Sequence, residues 1–520
     1  MRISILLLLT TGLTLVAAPA FAQYGGGGMG GGGMGGSGMG GMGGSGMGSG
    51  QSGGGGHHKG SGQSQKPATS TTAPAAIHAP ANVPLSMRLT GKLVINGGVK
   101  SMTHATLASA SPDMSTIYVE REAQLSLDTV DLSGSGDLSL VSDGRAAGLD
   151  SALLVGSAAA VTMTGGHIST TGRGANAAFV SDAGSKLSFK GTALSTHASD
   201  AYGIEATGGG SVSGDGVTVA TTGDRGTAVA VQAPNSQATL TGGQLGTEGA
   251  AANAFFVAGT LNASGVTAHA SAADGLLAEK AKTVALTDTS LSAGGYGAVL
   301  YAGDEAGRDG GVAAGDGGHG GHRPGGANIA GPAAPSPEQN PDPVQVTDDV
   351  PLHRTNFTMT GGALKAHKAD FYVTNLHAEI VLDHVTLQSD GGILVRSAAD
   401  QWGKVGSNGG DVHLVTHHQT LTGDFATDVI SNIAVSLNDD STLTGATTPN
   451  VDVEMDASSH WVLTGDTNVG KLTDAAIAGD SVPNITGNGH TLTYDHRHNP
   501  QLANKTYALV GGGQLVPGGL

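Results

Sequence analysis

The chain has 520 residues, among them 89 glycines, no cysteine and only 3% aromatics, with a formal net charge of −18 at pH 7. Acidity without basic clusters argues against nucleic acid and against anionic membrane surfaces as partners. The length would admit several globular domains, but a glycine-rich, aromatic-poor composition without a second pattern favours one elongated domain.

Residues 1–22 carry a single charge at Arg2, an apolar run from Ile3 to Val16, and Ala20-Phe21-Ala22 before Gln23. That is the pattern of a cleaved secretory signal. The run is too short for an anchor, and no later segment is long and apolar enough to span a bilayer. The mature chain is expected outside the cell or at its surface, with the periplasm as the alternative. A chain without cysteine suits passage through a secretion pore unfolded, since no disulfide loop can jam it.

Residues 23–80 are a low-complexity leader of Gly, Met, Ser and Pro, expected to stay disordered because it buries too little surface. Its evenly placed methionines, Met39 and Met42 among them, could hold Cu(I) through soft thioethers. A plain Gly-Met linker is the simpler reading. Pro80–Leu93 is the candidate cap for the first of a series of coils, and KLVINGGV around Gly97 and QLSLDTVD around Thr129 are the first irregular units of that series.

From Val161 to Arg396 the chain repeats. An apolar residue stands four places before Gly165, Gly191, Gly216, Gly242, Gly265, Asp288, Gly361 and His384, and a mostly bulky one three places after each. A third apolar pair closes each unit: Ala178/Val180, Ile204/Ala206, Val229/Val231, Phe255/Val257, Leu276/Ala278, Val299/Tyr301, Tyr372/Thr374 and Ile393/Val395. Its offset from the marker shrinks in steps of two, as a period-2 strand requires if its core face is to stay inward. Three short strands per 23–26-residue unit predict an all-β fold, a single-stranded right-handed parallel β-helix. Residues 81–301 form its N-terminal part and 351–520 its C-terminal part.

The step from Asp288 to Gly361 is one coil plus a long excess. That excess, residues 302–350, is rich in Gly, Pro, Ala and Asp and reads as a disordered loop thrown out from one coil. His319 and His322 within it could ligate a metal, although nothing rigid converges on them, and a solvated spacer is the simpler reading. After Arg396 the beat returns as TLTGD, TLTGA, VLTGD and NITGN at Gly423, Gly445, Gly465 and Gly487, with inward partners at Val435/Leu437, Val451/Val453 and Val469/Leu472, to near Thr493.

These coils, with ISTTGRGANA after an apolar–x–x–x–Gly unit, resemble the passenger domains of autotransporters, particularly pertactin-like adhesins. SSHWVLTGDTNVGKL resembles the junction coil near the C-terminal end of such passengers, with Trp461, Gly465 and Val469 at the matching positions. The resemblance implies that this coil helps start folding, and that the long loop takes part in adhesion to host or bacterial surface molecules. The family carries a translocator barrel after the passenger. This sequence reaches Leu520 without one, which implies a separate secretion partner, periplasmic retention or a truncated autotransporter.

Parallel β-helices also carry polysaccharide lyases and glycoside hydrolases, so a carbohydrate-active enzyme is the alternative function. Such chemistry needs paired carboxylates, or a Ca²⁺ cluster, in an aromatic-lined cleft. His377, Glu379 and Asp383 share one outward face and are the catalytic candidates, with Asp411, His413 and His417 arranged alike one coil or more later. An ordinary solvated wall shows the same residues, and Trp402 and Trp461 are the only tryptophans for stacking on sugar. The expectation is therefore a non-catalytic, adhesin-like protein without cofactor or metal.

Overall fold

A computed structural model describes residues 87–141, 146–303, 353–400 and 402–519, all within the unit Pro74–Leu520. The signal segment, the leader with Met39 and Met42, most of the 302–350 insertion with His319 and His322, and part of the expected Pro80–Leu93 cap lie outside the described residues. Those described form a parallel β-solenoid of about 15 turns. Parallel crossovers of this kind wind right-handed.

Three parallel walls run along it. Wall A has 12 strands from Gly91–Asn96 to Asp424–Thr427, wall B 14 strands from Val99–Thr103 to Leu472–Asp474, and wall C 10 strands from Thr106–Ser109 to Thr386–Ser389. One coil shows the pattern: Ala160–Thr164 lies in wall B, His167–Thr170 in wall C and Ala178–Val180 in wall A. In wall B, Val161 and Met163 pair with Leu187 and Phe189, which pair in turn with Val212 and Gly214. Those inward positions are buried while their neighbours Thr162 and Thr164 face outward, as alternation in a half-buried strand demands. Each coil thus adds a thin layer of aliphatic side chains to one continuous core.

The marker residues are the corner that ends each wall B strand, most of them leading into wall C. His104, Thr129, Gly165, Gly191, Gly216, Gly242, Gly265, Asp288, Gly361, His384, His418 and Asp439 all have φ between 46° and 66°. This left-handed conformation suits Gly and is tolerated best by Asn, Asp and His otherwise. The corner amide donates to the coil above: Gly216 N–H reaches the Thr241 carbonyl at 2.8 Å and Asp288 N–H the Thr360 carbonyl at 2.8 Å. A second device closes the turn from wall C to wall A. The inward Thr170 and Thr196 hydroxyls donate to the carbonyls of Ala175 at 2.6 Å and Ala201 at 3.1 Å, and Thr221 and Thr247 repeat the bond to Gly226 and Ala252. A buried hydroxyl so placed satisfies itself and a carbonyl that the irregular turn leaves without a ladder partner.

The long step is one interrupted coil. Thr283 pairs with Asn356, Ser290 with Ala363 and Ala298 with Phe371, so the chain leaves after Tyr301 in wall A and re-enters at Arg354 in wall B with the register unchanged.

Several expectations are corrected. The inward residues of two wall A strands are Ala298/Leu300 and Phe371/Val373, whereas Val299, Tyr301 and Tyr372 face outward. The shortening is therefore not confined to even steps. It is taken out of the irregular turn between walls C and A, where no period-2 alternation applies, so an odd deletion leaves the strand faces intact. In the last of these strands Leu394 and Val395 are both in the core, because a bulge shifts the register between Ile393 and Val395.

KLVIN is a wall A strand and Gly97 turns it into wall B; the left-handed corner of that coil is His104. Of the expected cap, Gly91–Leu93 opens that first strand, while Leu89 packs against Tyr118, Leu154 and Phe179 on the outside of wall A.

The TLTG segments do not mark the B–C corner. Thr420–Thr422, Thr442–Thr444 and His460–Val462 belong to a fourth, eight-stranded sheet, wall D, with Leu421, Leu443 and Trp461 inward; the corners of their coils include His418 and Asp439. The partners Val435/Leu437, Val451/Val453 and Val469/Leu472 are all buried as expected. The stack also does not stop near Thr493. Thr491–Asp495 pairs with Gln514–Gly518, which runs antiparallel to Tyr507–Val510 and finishes wall D.

Corner conformation, not space, decides which residues the marker position accepts. No heavy atom lies within 4 Å of a Cβ built on Gly216, whose φ is 62°. Gly216→Val is expected to lower urea stability by about 1–2 kcal/mol, with Gly216→Asn closer to the parent.

Candidate functional site

The titratable residues singled out in the sequence meet on the outer face of wall B. Strand His377–Asp383 pairs with Asp411–His417 so that His377 faces Asp411, Glu379 faces His413 and Asp383 faces His417. The first two rungs are imidazole–carboxylate contacts: His377 Nδ1 lies 2.7 Å from Asp411 Oδ2, and His413 Nδ1 lies 3.0 Å from Glu379 Oε1. His417 turns instead to Asp439 Oδ2 at 2.6 Å, and Asp383 Oδ1 takes His384 Nδ1 at 2.5 Å. Each of these carboxylates therefore faces an imidazole. Glu379 and Asp383 are four residues apart along a strand, roughly 13 Å at ~3.3 Å per residue. That exceeds the roughly 6.5–9.5 Å at which two carboxyls flank a scissile glycosidic bond.

Beside this ladder a groove of about 810 Å³ is lined by Asp411, Asp452, Lys471, Asp495, Arg497 and His498, among others. Arg497 clamps Asp495 with Nε on Oδ1 at 3.0 Å and Nη2 on Oδ2 at 2.7 Å. Those bonds hold the Asp495 carboxyl down to about 2. The groove carries charges of both signs, already paired in part.

Aromatic side chains gather on a different face. The outward positions of wall A, which in a solvated wall would be polar, are Phe256, Leu277, Val299 and Tyr372, buried together with Tyr202 and Tyr301. Half-buried Tyr296 and Trp402 pack against them. Tyr301 stacks on Trp402 with centroids 4.2 Å apart, Tyr296 stacks on Tyr372 at 5.0 Å, and Lys368 Nζ sits 4.8 Å over the Tyr296 ring. Trp402 has φ 42°, a strained conformation for so bulky a residue. Asn408 braces its loop by donating to the carbonyls of Trp402 at 2.7 Å and Ala399 at 2.9 Å.

Two carboxyls on this wall are driven in opposite directions. Burial pushes Asp400 up, but hydrogen bonds from the Tyr372 hydroxyl and the Arg396 guanidinium, the latter at 2.5 Å, outweigh it and hold Asp400 below the usual range. Asp370 is fully buried, neither of its oxygens has a partner, and burial alone pushes it up to about 7.

Sequence reasoning misses this patch. Its members lie far apart along the chain and meet only because successive coils stack them. The available signal is in strands such as FFV and AVLY, and in the FYV of ADFYVT, apolar at outward as well as inward positions.

At the junction coil, Trp461 is fully buried in wall D and its indole N–H donates to the Gly445 carbonyl at 3.0 Å. Val469 is buried in the following strand, Thr467–Val469. Gly465 has open space around it and lies in the turn between these strands. No protein-family model matches the chain, and neither a curated protein nor a solved structure matches it.

Trp461→Ala removes the largest fully buried side chain and its hydrogen bond. It should destabilise the C-terminal coils by about 3–5 kcal/mol, so limited proteolysis cuts first after about residue 420 while Val161–Tyr301 stays protected. Asp370 gives a pH signature. A carboxyl whose folded value is raised contributes most below its ordinary value near 3.8, and that contribution is lost as pH rises towards 7. Urea unfolding of parent and Asp370→Asn should therefore diverge between pH 4 and 7, the parent losing on the order of 3 kcal/mol relative to the variant, and run parallel above.

Proposed function

We propose that the chain is an exported, non-catalytic β-solenoid that presents a binding surface for molecules on host or bacterial cells, in the manner of an autotransporter passenger. The observation that carries the reading is the aromatic patch on wall A. It lies where the chain departs for residues 304–352, just after Tyr301, and it combines half-buried Trp402 and Tyr296 with the charges of Lys368, Arg396 and Asp400. Rigid aromatic anchors with a polar rim are the usual energetic centre of a recognition surface. A strained Trp402 held by Asn408 is in keeping with a position kept for contact rather than for stability.

The wall B ladder supports the non-catalytic part. Its carboxylates are matched by imidazoles, and the aromatics a sugar cleft would need lie on another wall. One observation favours the enzyme reading: Asp370 and Asp400 are displaced in opposite directions, as an acid and a base would be. Asp370 is closed off from solvent, however, so a substrate does not reach it.

Adherence of the purified mature chain to epithelial and bacterial cells tests the reading. Trp402→Ala, Tyr296→Ala and deletion of 304–352 should each reduce binding about tenfold or more with the circular dichroism unchanged. Undiminished binding in all three overturns the assignment of the patch. Turnover of a polysaccharide that disappears in Glu379→Gln, Asp383→Asn or Asp370→Asn replaces it with an enzyme.

A further inference from the structure

The corner that ends each wall B strand, elsewhere occupied mainly by glycine, carries histidine on two successive coils. His384 and His418 both adopt the left-handed conformation, with φ 56° and 49°, and each is the first residue after a wall B strand. Because backbone and position repeat from coil to coil, the two rings are delivered face to face, with centroids 4.8 Å apart and planes inclined by 22°. Asp383, the last residue of the lower strand, points its carboxylate at both. Its Oδ1 lies 2.5 Å from His384 Nδ1 and 3.5 Å from His418 Nδ1. One ligand atom from each of the three falls within 4.8 Å of the others. His417, directly across from Asp383, stands beside them with its Nδ1 held 2.6 Å from Asp439 Oδ2.

We propose that Asp383, His384 and His418 form a site for a divalent first-row transition ion of the Zn²⁺ class. Two imidazole nitrogens and one carboxylate oxygen are the donor set that such borderline ions prefer, whereas Ca²⁺ and Mg²⁺ select oxygen alone. At about 2.1 Å from a tetrahedral Zn²⁺, ligand atoms stand about 3.4 Å from one another. The His418 Nδ1–Asp383 Oδ1 separation already matches. The His384 pair opens by about 1 Å, within reach of side chains that are 65% and 35% exposed. Water completes the coordination, since the site is open to solvent.

His417 stands beside the site, its ring held by the Asp439 carboxylate. The ion would join Asp383 and His384 on one coil to His418 on the next, across the longer excursion that carries Asp400 and Trp402. The site stands independently of the surface-binding reading, and so does its test.

The test uses the full mature chain, stripped of metal and titrated with Zn²⁺ against a chromophoric chelator, with Co²⁺ as a spectroscopic substitute. To separate this site from the histidines of the leader and insertion, the comparison is between His384→Asn/His418→Asn and His319→Asn/His322→Asn. Asparagine is chosen because it keeps the left-handed corner and hence the fold. The parent and the His319/His322 variant should share one equivalent that the His384/His418 variant binds at least tenfold more weakly. The intense visible band of low-symmetry Co²⁺ should vanish with it, and Asp383→Asn should weaken the same equivalent. Zn²⁺ should raise the thermal midpoint of the parent and leave that of the His384/His418 variant unmoved. Equal stoichiometry and affinity in parent and His384/His418 variant overturn the proposal, as does an unaltered Co²⁺ spectrum.

Discussion

Coil-to-coil register is the constraint on which this structure rests. A single coil contributes a few inward side chains from three short strands, and it cannot bury them alone. Val161 is covered only because Leu125 lies below it and Leu187 above it in wall B, with the same relation repeated in walls A and C. Backbone hydrogen bonds and side-chain burial therefore stand or fall together. The corner of left-handed residues fixes where each strand starts, and the threonine hydroxyls close the turn that leaves wall C. Between them the strand faces stay aligned while the loops vary in length.

That division of labour explains what the sequence discloses. Strand positions recur at fixed offsets from the corner, so Val161, Ile168 and Ala178 and their counterparts are legible as core from periodicity alone. The turn from wall C to wall A obeys no such period. Periodicity therefore puts residues whose placement depends on its length, Val299 and Tyr372 among them, on the wrong face, and KLVIN in the wrong wall. The C-terminal TLTG segments mislead for a related reason: glycine after Thr-Leu-Thr ends a strand in wall D as readily as it marks a corner.

The candidate sites divide along the same line. His377, Glu379 and Asp383 are visible as one outward face because they sit on a single strand. Their imidazole and carboxylate partners depend on a register between coils that varying excursions hide. The aromatic patch lies deeper still: Tyr296, Tyr301, Tyr372 and Trp402 occupy different coils and share no motif. Only apolar residues at outward positions of wall A hint that this face is covered. The Asp383–His384–His418 cluster needs both pieces of information, the corner conformation and the neighbour above.

The returning hairpin at the C-terminus has a consequence for assembly. Parallel stacks present their last coil as a row of unsatisfied amides and carbonyls, a template on which another chain can grow. Here Tyr507–Val510 and Gln514–Gly518 reverse direction, and Gln514–Gly518 lies between Tyr507–Val510 on one side and Thr491–Asp495 on the other. Wall D therefore curls back on itself, with Leu502, Tyr507 and Leu515 sealing the apolar interior beneath it. The reversal leaves Gln514–Gly518 paired on both edges, so that last strand offers no open ladder to another chain.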